Sequence, residues 1–199
     1  MEHKASLFPA TTMPDSGWWQ ALWSDPDAVI KALKITAEMR VLDLGCGDGY
    51  FTAALARHVS SGHVIGLDLD PVVLKEAQVA CTGHAHCDWR LGDAMEVAHM
   101  TLGPVDYVLM ANTFHGVPDK TALARAVAAI LLPAGRFAII NWHSVAREET
   151  PVLGQPRGPR TELRLSPDAT QAAVEAGGFV QEALVPLPPY HYGLVFQKA

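Results

Sequence analysis

The chain has 199 residues, a formal net charge of −6, 49% hydrophobic and 18% charged residues. That balance excludes an intrinsically disordered chain, and the negative charge excludes a surface dominated by phosphate-backbone recognition, although a local basic patch stays open. No apolar run approaches the roughly 20 residues of a membrane-spanning helix. The start Met1-Glu2-His3-Lys4 lacks a signal-peptide pattern, and Cys46, Cys81 and Cys87 are too few for a disulfide framework, so the expected location is cytoplasmic.

In chain order, residues 1–25 stand apart, with Pro9, Pro14 and Gly17 beside Trp18, Trp19 and Trp23. Asp25-Pro26 then opens a helix to about Lys34, with Asp as N-cap and Pro in the first turn. Arg40 to Leu44 is a short apolar run ending at glycines and reads as a buried strand. A helix over Tyr50 to Val59, a strand over His63 to Leu69 and a helix from Asp70-Pro71 to about Ala80 follow. Asp88 to Leu91 and Val105 to Ala111 are the third and fourth strands. An Ala-rich helix spans Asp119 to Leu132, closed by Pro133 and Gly135, and Arg136 to Trp142 is the fifth strand. Residues 144–165, rich in Pro, Gly and Arg, read as a long loop. Ser166-Pro167-Asp168 starts a last helix that ends at Gly177-Gly178, before strands near Val180 to Leu187 and Gly193 to Lys198.

This alternation predicts one α/β domain over residues 1–199, Rossmann-like and doubly wound, with a mainly parallel seven-stranded sheet. The short Pro188-Pro189 link between the final strands can join only antiparallel neighbours, so the last strand is expected to be antiparallel. Ligands of such sheets bind beyond the carboxyl ends of the strands.

The first strand runs into Asp43-Leu44-Gly45-Cys46-Gly47-Asp48-Gly49. The dinucleotide fingerprint is G-x-G-x-x-G. Here the spacing is G-x-G-x-G, and Tyr50 takes the place of the third dinucleotide glycine. No Lys or Arg lies in the loop and acidic side chains flank it, which suits a sulfonium with an ammonium group and not a pyrophosphate.

With these residues in hand, V-L-D-L-G-C-G-D-G-Y resembles the first motif of the class I S-adenosylmethionine-dependent methyltransferases. Gly66-Leu67-Asp68, Leu91-Gly92-Asp93-Ala94, Val105-Asp106-Tyr107-Val108 and Leu131-Leu132-Pro133-Ala134-Gly135-Arg136 resemble that family's later segments, in its order, over about Val41 to Trp142. The resemblance implies S-adenosyl-L-methionine as cofactor. It implies that Asp43, Gly45 and Gly47 face its methionine end, that Asp68 holds the ribose, and that Leu69, Asp93 and Ala94 meet the adenine. Asn112 is then near the cofactor's carboxylate or the acceptor. The plainer alternatives are a turn-capping Asp43, a surface Asp68 and a packing Cys46.

The acceptor is expected at the same open end. His115 and His143 are the candidate bases, because imidazole titrates near neutral pH. Trp18 and Trp19, on a segment that reads as a possible lid, and Asn141 and Tyr190 are the candidate acceptor-binding residues. Each has a structural alternative: a loop histidine, or tryptophans that dock the N-terminus as core. Arg147, Arg157, Arg160 and Arg164 could grip an anion, against the reading of a solvated loop. Cys81, His84, His86 and Cys87 have metal-ligand chemistry but fall away from the methyl, so no metal is assigned. The Asn-Pro-Pro-aromatic signature of base methylation is absent after the fourth strand, so nucleic acid is not the expected partner. The leading expectation is a methyltransferase of a small molecule. The alternatives are a non-catalytic S-adenosylmethionine-binding or metal-binding module, or a protein methyltransferase.

Overall fold

Four of the helices begin on a side chain that the sequence marks as a cap. In the computed structural model, which describes residues 16–199, Asp25 accepts the Ala28 N–H, Asp70 that of Val72, Asp119 that of Ala122 and Ser166 that of Ala169, at 2.8–3.1 Å. Each satisfies a donor that the first helical turn leaves free.

The elements are α1 (Ser16–Leu22), α2 (Pro26–Ala32), β1 (Arg40–Leu44), α3 (Tyr50–His58), β2 (His63–Asp68), α4 (Pro71–Ala80), β3 (Cys87–Leu91), β4 (Val105–Ala111), α5 (Lys120–Ile130), β5 (Leu131–Trp142), β6 (Pro151–Val152), β7 (Gln155–Pro156), α6 (Pro167–Glu175), β8 (Phe179–Leu187) and β9 (His191–Lys198). Seven strands form one sheet in the order β3-β2-β1-β4-β5-β9-β8. The pairs from β3 to β5 are parallel, and β9 lies antiparallel between β5 and β8. This is the Rossmann-like α/β sheet with its antiparallel last strand that the sequence leads one to expect.

The central strands are buried on both faces, and alternate residues serve opposite layers. Val108 and Met110 of β4 join Phe137 and Ile139 of β5 under α5 and α6. Tyr107, Leu109, Ala138 and Ile140 point the other way, to α1, α2 and α3. The Tyr107 hydroxyl, fully buried, donates to the Leu33 carbonyl at 2.7 Å.

Three local expectations change. Residues 16–22 are helical, which places Trp18 and Trp19 on α1; the part of the expected lid before Ser16 lies outside the described residues. β5 begins at Leu131, which pairs with Val105 ahead of the turn at Pro133–Gly135. Residues 144–165 carry local order within the expected loop: two 3-10 turns and the β6–β7 hairpin. Among the described residues no helix is long and apolar enough to cross a membrane.

Candidate active site

β1 and β2 end side by side, and the crossing from β1 to α3 is made by Gly45, Gly47 and Gly49, all at positive φ (78°, 55° and 87°). The N–H groups of Gly45 and Cys46 both donate to the Leu67 carbonyl, at 2.8 and 3.0 Å. Asp68 Oδ2 accepts the Gly47 N–H at 2.8 Å, and its Oδ1 accepts the Asp70 N–H at 3.0 Å. Each carboxylate oxygen keeps a further lone pair, so a ribose diol can be added to these bonds.

Asp43 is 1% exposed and its Oδ2 accepts the Thr52 hydroxyl at 2.6 Å. Burial, with Asp68 and Asp48 nearby, pushes its carboxyl up to about 7 against the opposing Thr52 bond. Burial also raises Asp48 and the Cys46 thiol, so Cys46 is a packing residue and not a nucleophile. The ion pairs formed by the described residues fall elsewhere, at sites such as Lys34–Glu182, Arg57–Asp27 and Arg136–Glu182. Three carboxyl groups without a cationic partner around a glycine loop fit the sulfonium and ammonium of S-adenosylmethionine. Farther along, Asp93 caps a 3-10 turn by accepting the Met95 N–H, Ala94 is buried beneath it, and Leu69 is half-buried between Asp68 and the α4 cap.

β4 and β5 supply the other side. Asn112, just past β4, has φ +57° and donates its N–H to the Ile140 carbonyl, yet both polar atoms of its side chain are buried without a partner. Asn141 on β5 is fully buried, and its amide is also unpartnered. It lies beside His115 and Tyr192 without completing a hydrogen bond of normal geometry to either. His115 has a free, buried Nδ1; burial, followed by the fields of Lys120 and Arg164, brings its imidazole down to about 4 against the Asn141 amide. Asn112, Asn141 and His115 thus place three such side chains beyond the carboxyl ends of β4 and β5, where ligands of this sheet type bind. His143, two residues beyond Asn141, lies with its ring 5.2 Å from that of Tyr192.

The remaining candidates form an aromatic wall. Trp18 and Trp19 are 6% and 7% exposed, 4.8 Å apart, with Trp18 6.4 Å from Trp142 and Trp19 stacked on Tyr50. Tyr190 stacks on Trp142, and its hydroxyl donates to the Pro151 carbonyl. His191 follows it in the same segment, Pro189-Tyr190-His191-Tyr192. His191 is 1% exposed, sandwiched between Trp23 and Trp142 at 4.5 and 4.1 Å, with both ring nitrogens unpartnered. The strand alternation of β9 carried the signal, because His191 pairs with Trp142 across β5. The Cys81–Cys87 segment closes on itself: the two thiols face each other, His86 Nε2 contacts the Ala56 carbonyl, and among the described residues no three His, Cys, Asp or Glu side chains are placed to share a metal.

A family model described as a methyltransferase domain matches residues 41–135. The ubiquinone biosynthesis O-methyltransferase of Xanthomonas axonopodis pv. citri (strain 306) is 30% identical over 132 residues, which are 60% of this chain and 54% of that protein. The chain thus spans about half the length of the curated relatives it matches. Among solved structures, a SAM dependent methyltransferase from Aquifex aeolicus shares the fold at TM-score 0.79 and 23% identity, over 93% of this chain and 94% of that one. A putative type 11 methyltransferase from Sulfolobus solfataricus matches at TM-score 0.66 and 25% identity, over 87% and 92%. By its glycine loop, its strand order and the match over residues 41–135, the chain is similar to the class I S-adenosylmethionine-dependent methyltransferases.

Proposed function

We propose that this chain is an S-adenosylmethionine-dependent methyltransferase whose acceptor is a small molecule, methylated on a hydroxyl oxygen. The observation that carries the reading is the division of the site into an acidic glycine-loop half and a half of unpartnered amides and imidazoles. The name of the Xanthomonas relative supports oxygen as the methylated atom.

Bound at the loop, S-adenosylmethionine supplies a methyl group activated by a sulfonium. The chain's own residues do the rest. Asp43, Gly45 and Gly47 receive the methionine end, Asp68 the ribose, and Leu69, Asp93 and Ala94 the adenine. Asn112 and Asn141 orient the acceptor. His115, neutral at physiological pH, accepts the hydroxyl hydrogen bond and takes the proton as the oxygen gives up its lone pair. A group titrating near 4 is a weak base, so alignment and exclusion of water carry most of the rate. His143 is the second candidate base. Trp18, Trp19 and Tyr190 cover the acceptor's apolar body. Residues 1–199 act as one methyltransferase domain in this reading. The acidic net charge speaks against a nucleic-acid acceptor, and free thiols at Cys46, Cys81 and Cys87 suit a reducing cytoplasm.

The test is incubation of the chain with methyl-labelled S-adenosylmethionine and a panel of small phenols, amines and peptides. Label is expected in phenol ethers together with release of S-adenosylhomocysteine. Label in amines or peptides alone would replace the acceptor assignment, and failure to bind S-adenosylhomocysteine would remove the enzyme reading.

A further inference from the structure

The connection from α4 to β3 holds two cysteines that the methyl-transfer site does not use. Cys81 caps the C-terminus of α4, and Cys87 is the first residue of β3. Between them the chain turns twice. The His84 N–H donates to the Cys81 carbonyl at 3.1 Å, and the Cys87 N–H to the His84 carbonyl at 3.2 Å. The two thiols therefore face each other across the loop of residues 81–87. Both ends are also anchored outside the loop: the Cys81 N–H donates to the carbonyl of buried Ala77 at 3.1 Å, and Cys87 pairs with Val64 in the ladder to β2. The juxtaposition is a property of the fold.

The two thiols are unequal. Cys81 is 4% exposed, whereas Cys87 is half-buried and Thr82, Gly83 and Ala85 beside it are exposed. Hydrogen bonding from the Cys81 thiol holds Cys87 below the ordinary thiol range, against burial and the field of Asp88. The same contact, with burial, pushes Cys81 up. A reachable sulfur with thiolate character beside a buried, protonated one suits attack by the first and resolution by the second. A structural zinc takes four ligands. His84 and His86 lie in this loop with rings 5.6 Å apart, yet among the described residues no three His, Cys, Asp or Glu side chains are placed to share a metal.

We propose that Cys81 and Cys87 form a reversible dithiol–disulfide site that reacts with low-molecular-weight disulfides such as oxidised glutathione. The Cys87 thiolate attacks one sulfur of the glutathione disulfide and forms a mixed disulfide. The glutathione thiolate it expels takes up the proton that Cys87 has lost. The Cys81 sulfur then attacks the Cys87 sulfur, and its proton passes to the second glutathione as that leaves. Two protein thiols are oxidised to one disulfide, and one glutathione disulfide is reduced to two thiols. The new bond ties α4 to the edge strand β3, at the end of the sheet opposite the glycine loop.

The test is incubation of the full chain with oxidised glutathione, followed by alkylation in denaturant and digestion with trypsin. The peptide from Glu76 to Arg90 carries both cysteines, and Cys46 lies on a separate peptide. The Glu76–Arg90 peptide is expected to lose the mass of two hydrogens, to resist alkylation and to recover both thiols with dithiothreitol, while Cys46 is alkylated throughout. Cys81→Ala should stop at glutathione on Cys87, and Cys87→Ser should leave Cys81 a thiol. The oxidised wild type should melt about 5 °C higher, as closing a loop of this length implies. Two unreacted thiols, glutathione retained on Cys87 of the wild type, or a bond to Cys46 would overturn the site. So would a disulfide that lowers the melting temperature, since the thiols would then meet only in a distorted fold.

Discussion

Asp68 and Gly47 are tied together across the end of the first two strands, the carboxylate Oδ2 accepting the glycine N–H at 2.8 Å. The same side chain that shapes the loop is thereby aimed at the space above it. Asp68→Ala removes both the loop bond and the proposed ribose contact. Its affinity for S-adenosylhomocysteine by calorimetry should fall about 10- to 150-fold, the worth of a charge-assisted hydrogen bond. Unchanged affinity in a folded variant would take Asp68 out of the cofactor site.

Asp43 gives the site a pH signature. Its carboxyl sits near 7 in the folded chain against 3.8 ordinarily, so the native state holds more protons than the unfolded state between about pH 4 and 7. Its contribution to the stability of the ligand-free chain therefore falls as pH rises through that window and levels off above 7. Asp43→Asn should melt progressively higher than wild type from pH 5 to 8. The ammonium group of S-adenosylhomocysteine favours the ionised form, so its affinity should climb by up to about tenfold per pH unit below 7 and then plateau. A melting difference that stays flat across the range would contradict the buried carboxyl.

Gly49 caps α3 at φ +87°, and a Cβ there would lie 2.7 Å from the Ala77 Cα on α4. Gly83 has a similar φ of +92° but open space around it. Gly83→Ala should lose about 1 kcal/mol from the backbone alone. Gly49→Ala should lose about 2–4 kcal/mol, since helix and loop must also shift. Chemical denaturation of the pair separates strain from crowding, and equal losses would show that α4 yields freely.

Much of this was legible in the chain itself. The runs at Arg40–Leu44 and Val105–Ala111 are mostly apolar and end at their connections, which reads as doubly covered strands. Asp25, Asp70, Asp119 and Ser166 announce their helices because a cap is a local interaction. What stayed hidden depends on partners far away in sequence. Arg164 looks like a loop charge until residues 145, 150, 157 and 159 are folded around it. The place of His191 between Trp23 and Trp142 follows only from its pairing with Trp142, 49 positions earlier. The helix at α1 was obscured by its short length and aromatic content, which packing against Trp142 and Tyr50 overrides.

His115 and Asn141 should separate chemistry from cofactor binding. His115→Ala is expected to lower kcat about 100-fold or more on a phenolic acceptor if the imidazole takes the proton, with S-adenosylhomocysteine affinity unchanged. Asn141→Ala should raise KM more than it lowers kcat. The folded imidazole sits near 4 against 6.5 ordinarily, so its contribution to stability is complete above about pH 6.5 and is lost as pH falls toward 4. Replacing His115 by Asn should flatten that acid limb. A variant with full kcat would leave His143 as the remaining candidate base.

Arg164 is predicted to hold the 144–165 segment closed. Arg164→Met keeps bulk over Trp142 but frees the Val145, Arg157 and Pro159 carbonyls and the Thr150 hydroxyl that the guanidinium binds. Stranding buried acceptors costs about 1–3 kcal/mol each where water cannot reach them, and a segment that can open to solvent will do so instead. The loss should therefore be local. Trypsin should cut at Arg147, Arg157 or Arg160 at least about tenfold faster than in wild type, since the cleavable population follows the opening free energy. The glycine loop stands on β1 and β2, apart from this clamp, so S-adenosylhomocysteine affinity should stay within about twofold. Cleavage as slow as in wild type would mean that the hairpin and Tyr190 hold the segment without the arginine.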